Sequence, residues 1–197
     1  MSGRRSSAGS TRSRAVSARP ARTSPAWSDV KGKLAAFDRA ALLGLVQDLY
    51  ATSKANQAFL HTRFGLGGDL LAPYKSIIER WLWPNVLRNQ DVSVSAAKKA
   101  ISDFRKASGQ REGLAELMVF YCECAAGFAN EYGMDDPGYL DALVRMFEQA
   151  LKISLTLAGA ERDAMLDRLD AVRTIGRDFG YRAGDDLHGL FAKYSRE

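Results

Sequence analysis

The chain has 197 residues, 46% of them hydrophobic, with 28 Lys+Arg against 23 Asp+Glu for a formal charge of +5. It is long enough to bury one core and too ordinary in composition for a fibrous or wholly disordered protein. The two cysteines, Cys122 and Cys124, stand one residue apart, which excludes a disulfide framework and suits a reducing compartment, while the longest apolar run, Leu117 to Cys122, falls far short of the roughly 20 residues of a membrane span.

The first segment, residues 1–26, carries Arg4, Arg5, Arg12, Arg14, Arg19 and Arg22, many serines and no acid. It holds too little apolar surface to offset the entropy of ordering it, so disorder is expected there. Removing its six charges leaves −1 on the other 171 residues. The positive charge therefore belongs to an arm on a near-neutral body. Such an arm favours phosphate backbones through counterion release without reading sequence. Six arginines spread over 26 residues nevertheless form a dilute cluster, and a solubilising leader or a start-site extension is the simpler reading. The segment lacks the apolar middle of a secretory signal, although an Arg- and Ser-rich, acid-free start also resembles an organellar transit peptide.

From Asp29 onward apolar residues recur at three- and four-residue spacing, the mark of amphipathic helices. Asp38 caps a helix with Leu42, Leu45, Val46, Leu49 and Tyr50; Ser53 starts another with Phe59, Leu60 and Phe64, ended by the glycines from Gly65 to Gly68. Pro73 suits the first turn of the next, whose face is Tyr74, Ile77, Ile78, Trp81 and Leu82, and Pro84 stops it. Ser93 or Ser95 caps a helix with the stripe Ala97, Ala100, Ile101 and Phe104, closed by Ser108 and Gly109. The longest helix runs from Glu112 to Tyr132 and stops at Gly133 in the left-handed region. Asp136 and Pro137 open its neighbour, which continues to about Leu157. A connection this short makes the two an antiparallel hairpin. Gly159 precedes a more polar helix with Met165, Leu166, Leu169, Val172 and Ile175, and a final one holds Leu187, Leu190, Phe191 and Tyr194. The expectation is an all-α single domain over residues 27–197, with about seven or eight helices as antiparallel hairpins in a bundle or short repeat-like solenoid. Tyr139 to Leu151 reads like the second helix of a tetratricopeptide-type repeat, but no copy recurs at the period of about 34 residues.

The stretches YKSIIERWLWP (Tyr74 to Pro84), SAAKKAISDFRKASG (Ser95 to Gly109), GLAELMVFYCECAAGFANEYG (Gly113 to Gly133) and FEQALK (Phe147 to Lys152) resemble a mostly bacterial, all-helical family catalogued as a domain of unknown function. A weaker likeness reaches back to LYATSKANQAFL (Leu49 to Leu60) and stops short of the basic arm. The resemblance implies a helical fold and a bacterial cytoplasmic setting. It carries no catalytic residues over to this chain.

No catalytic, metal or cofactor site is expected. Cys122 and Cys124 on one helix point about 200 degrees apart and cannot share an ion. Asp185 and His188 lack the ligands that a di-iron bundle requires. Gly176, Gly180 and Gly184 near Arg173, Arg177 and Arg182 match no phosphate-binding loop and read as a turn. Glu123 and Asn130, seven apart on one face, mark a small polar site without a base or nucleophile beside it, and a solvated face is the simpler reading. Trp81 and Trp83 diverge at i and i+2, so one should enter the core and the other should lie nearer the surface as an anchor for a partner, although packing is the simpler role for both. The function expected first is a non-enzymatic helical module binding another protein; the second is nucleic-acid association through the arm; the third is an enzyme using the carboxylates of the central hairpin. No cofactor and no membrane partner are expected.

Overall fold

The computed structural model describes residues 25–194. The six arm arginines, Arg4 to Arg22, and the disorder expected around them lie outside the described residues. Among the described residues the regular elements are nine α-helices and two 3-10 turns, with no strand. No helix there is long and apolar enough to cross a membrane.

Two compact units divide the chain, Met1–Val46 and Gln47–Glu197. The first contains α1 (Trp27–Leu34) and the start of α2 (Arg39–Thr52), the helix that runs across the division. Asp29 accepts from the Ala26 N–H at 2.8 Å, and Asp38 accepts from the Ala41 N–H at 2.7 Å. Both satisfy donors that a helix start otherwise leaves unpaired. Helix α1 raises the count above the expected seven or eight. Its eight residues include Gly32 and only three large apolar side chains, Trp27, Val30 and Leu34, a stripe too short to stand out in the periodicity. Neither α1 nor α2 contributes a buried residue.

In the second unit, α3 (Lys54–Phe64) starts where expected: Ser53 Oγ accepts from the Asn56 N–H. Its first turn also closes α2, since Asn56 Nδ2 donates to Leu49 O at 2.6 Å and Gln57 Nε2 to Tyr50 O at 3.2 Å. Gly65 ends α3 in the left-handed region, with φ 64°. Helices α4 (Ala72–Leu82), α5 (Val94–Ala107), α6 (Arg111–Tyr132), α7 (Pro137–Ser154), α8 (Gly159–Ile175) and α9 (Ala183–Tyr194) follow. Ser93 is the cap of α5, its Oγ accepting from the Ala96 N–H. Asp136 caps α7 through the Tyr139 N–H at 2.7 Å.

These six helices pair as three hairpins in series. Helices α4 and α5 are antiparallel: the Ser93 N–H donates to Trp81 O at 3.0 Å near one end, and the Tyr74 and Phe104 rings meet edge-on at 5.3 Å near the other. Helices α6 and α7 are antiparallel as well, with Tyr139 bonded to Ala125 O, while Met118 and Met146 line one cleft further along. Helix α6 is the spine. It packs against α4, α7 and α8, and supplies Leu117, Val119, Tyr121, Cys122 and Ala126 as fully buried side chains. Hairpin starts at Ala72, Arg111 and Gly159 are spaced unevenly and more widely than the tetratricopeptide period of about 34 residues, which is why the sequence shows no repeat.

Candidate functional site

The end of α4 separates the two tryptophans. Between them Leu82 is buried in the core. Trp81 is half-buried against that core, with the Arg80 guanidinium 4.6 Å above its ring. Trp83 is 36% exposed and lies across α6 at Gly127, where a Cβ would stand 2.3 Å from its ring. Gly127 is therefore the notch that seats the indole.

Beyond Trp83 the chain makes a self-bonded loop. The Asn85 N–H donates to Gln90 Oε1 at 3.2 Å, the Arg88 N–H returns to Asn85 O at 3.1 Å, and Asn89 adopts φ 49°. Asparagine tolerates that left-handed conformation better than most residues. The 3-10 turn held inside this loop, Val86–Arg88, presents Leu87 at 94% exposure. Trp83, Pro84, Val86, Leu87 and Tyr132 border an open cleft of about 320 Å³. Its base is fixed from below, since the buried Tyr139 hydroxyl lies 3.1 Å from Leu82 O and 3.3 Å from Ala125 O. The sequence reading reached Trp83 and missed Leu87 and Tyr132. The available signal was an apolar pair, Val86 and Leu87, enclosed by the turn formers Pro84, Asn85 and Asn89.

Glu123 and Asn130 are not brought into one site. Asn130 is exposed, whereas Glu123 takes a two-pronged bond from Arg168, with Nε to Oε1 and Nη2 to Oε2 both at 2.7 Å. Arg168 Nη1 also reaches Glu116 Oε2 at 2.5 Å, and Lys75 Nζ donates to Glu116 Oε1 at 2.5 Å. The four side chains tie α4, α6 and α8 together, with Lys75 additionally 5.3 Å from the Phe120 ring centroid. Burial works to raise the Glu116 carboxyl, but the hydrogen bonds from Arg168 and Lys75 outweigh it and hold Glu116 below its ordinary value. Hydrogen bonds from Glu123 and Glu116 hold Arg168 above its own against burial. Both carboxylates are engaged by cations from other helices, which makes them a clasp between helices. Lys75, Glu116 and Arg168 escaped the sequence reading because their partners lie 41 to 52 residues away.

Cys122 and Cys124 are both buried free thiols. Burial, then the carboxylates of Glu79 and Glu123, push Cys124 up to about 12, so it is a protonated thiol at neutral pH. Asp185 and His188 lie in α9, where His188 Nδ1 is 3.0 Å from Arg173 Nη1 and Arg173 also binds Asp170. No group of three or more His, Cys, Asp or Glu suited to a metal occurs among the described residues. Gly184 is buried, and a Cβ on it would stand 2.2 Å from the Arg177 carbonyl oxygen. The glycine there serves close backbone packing.

No family model, curated protein or solved structure matches the chain.

Proposed function

We propose that this chain is a helical adaptor that binds another protein through the α4–α5 connection, in a bacterial cytoplasmic setting. The observation that carries this reading is Leu87, 94% exposed on a hydrogen-bonded turn. A leucine held so far into water adds nothing to this chain's own core and would gain apolar contact from a partner. Trp83 and Tyr132 flank it with the residue types that anchor interfaces, and the Tyr139 bonds pre-order the loop, which lowers the entropy cost of docking. The complementary partner offers an apolar pocket deep enough for one leucine, rimmed by groups that can bond Asn85 and Arg88.

The test is capture from bacterial extract by the immobilised full chain, followed by affinity measurement on the captured protein. Leu87→Asp should weaken binding at least about 30-fold, with an unchanged helical circular dichroism spectrum. Equal affinity for the wild type and Leu87→Asp overturns the reading.

A second reading rests on the charge split: +6 on residues 1–26 and −1 on the remainder. It assigns the arm to non-specific contacts with nucleic-acid backbones.

A further inference from the structure

Away from Leu87, helices α5, α6 and α7 border a cleft of about 180 Å³. Its floor is Ile101, Met118 and Met146, all buried. Its rim is cationic on both sides, with Lys98 and Arg105 from α5 and Arg145 from α7. Like charges gathered over an apolar floor repel one another and lose part of their water, and an anion entering between them relieves the repulsion. Lys98 registers both costs: burial, then Arg145, holds its ammonium below the ordinary value.

The acids of α5 and α7 are committed elsewhere. They are Asp103, Asp141 and Glu148, and they pair with Lys99, Arg145 and Lys152 in turn. Arg145 is thus partly answered, whereas Lys98 and Arg105 form no salt bridge among the described residues. They stand seven residues apart on α5, a rise of about 10 Å that two such long side chains can close from either end. Two unanswered positive charges match one phosphate monoester, which carries about −1.5 to −2 at neutral pH and offers three strong acceptor oxygens. A carboxylate supplies one charge only. The floor selects the rest of the ligand, since methionines mould to irregular apolar shapes and favour aromatic rings. A cavity of roughly 150 Å³ holds one benzene ring, so a ring-sized body has room here. An acidic peptide would instead lay backbone amides on a floor that cannot bond them. We propose that this cleft binds a small phosphate monoester, its phosphoryl group between Lys98, Arg105 and Arg145 and its apolar body on Ile101, Met118 and Met146. None of these residues surrounds Leu87, and the proposal stands independently of the adaptor reading.

The experiment is calorimetric titration of the full chain with phenyl phosphate at about 0.15 M salt. Binding should saturate with a Kd below about 0.3 mM, and inorganic phosphate and benzoate should each bind at least about tenfold more weakly. Lys98→Gln and Arg105→Gln should each weaken phenyl phosphate at least about tenfold. Lys106→Gln should leave it unchanged: it makes the same change in net charge at an exposed position of α5 outside the cleft and keeps every arginine of the arm. Circular dichroism checks the fold of each variant, and either cleft variant suffices if the other lowers the yield. Absence of saturation overturns the proposal, as does equal affinity for benzoate or inorganic phosphate, or an equal loss in Lys106→Gln. So does a phosphotyrosyl peptide that binds at least about tenfold tighter than phenyl phosphate, a result that assigns the cleft to a modified protein segment.

Discussion

Arg168 shows how much one side chain can hold when its fork is used in full. It bonds two carboxylates seven residues apart on α6 while standing on α8, a geometry that the planar guanidinium provides and an ammonium does not. Arg168→Ala should lower the unfolding free energy in urea by about 2 kcal/mol, and Arg168→Lys should recover only part of it, because an ammonium cannot reproduce the planar two-pronged bond to Glu123 while also reaching Glu116. The pH dependence follows from Glu116. Its folded-state value lies below its unfolded one, so its contribution is fully present above about pH 4.3 and is lost as pH falls through the folded value. The stability gap between the wild type and Glu116→Gln should therefore be constant near neutrality and close on acidification. None of this was legible at Glu123 in the sequence. An acid on a helix looks the same whether water or a distant arginine answers it, and this arginine is 45 residues away. The tryptophan pair was more legible, because the divergence of i and i+2 on a helix is local geometry; Leu87 was not, because its exposure is set by how the loop bonds to itself.

At the scale of the element, punctuation carried the reading. Ser53, Asp38, Pro73, Asp136 and Gly133 each stand at the helix end where their chemistry puts them, since capping is a short-range interaction that a few residues specify. What local chemistry does not specify is how hairpins stack: the short connection at Gly133 to Asp136 pointed to the α6–α7 hairpin, whereas its packing against α4 and α8 came only in three dimensions. Glycine marks the difference within α9. Gly184 meets the Arg177 backbone, so Gly184→Ala should cost about 3 kcal/mol, whereas Gly189, with open space around its Cβ position, should gain about 0.5–1 kcal/mol as alanine. Chemical denaturation of the two variants side by side checks this; equal effects of one sign would mean that α9 does not pack on the Gly176–Asp178 turn in this way.

For the whole molecule, the net charge of +5 misleads until it is divided along the chain. If the arm makes backbone contacts, binding to a random duplex should fall with salt, with a log–log slope of magnitude no greater than about 5, the limit for six phosphates neutralised. Deletion of residues 1–26 should abolish it. Equal binding by both forms in a filter or anisotropy titration removes the nucleic-acid reading and leaves the protein-binding one in place.

The serial stacking of hairpins in the second unit has a kinetic consequence. Each of α4–α5, α6–α7 and α8–α9 closes over a short stretch of chain and then meets its neighbour, so the pairings that must form first are local and close quickly. The middle hairpin has a hairpin on both sides and the outer two have one, with α3 packed on α5 beyond the first of them. Order should therefore spread outward from α6 and α7, and transient opening should begin at the ends of the stack. Leu87 sits between α4 and α5, on an outer hairpin, with its base pinned to the central one by the Tyr139 hydroxyl. A partner seated there would also brace one end of the array.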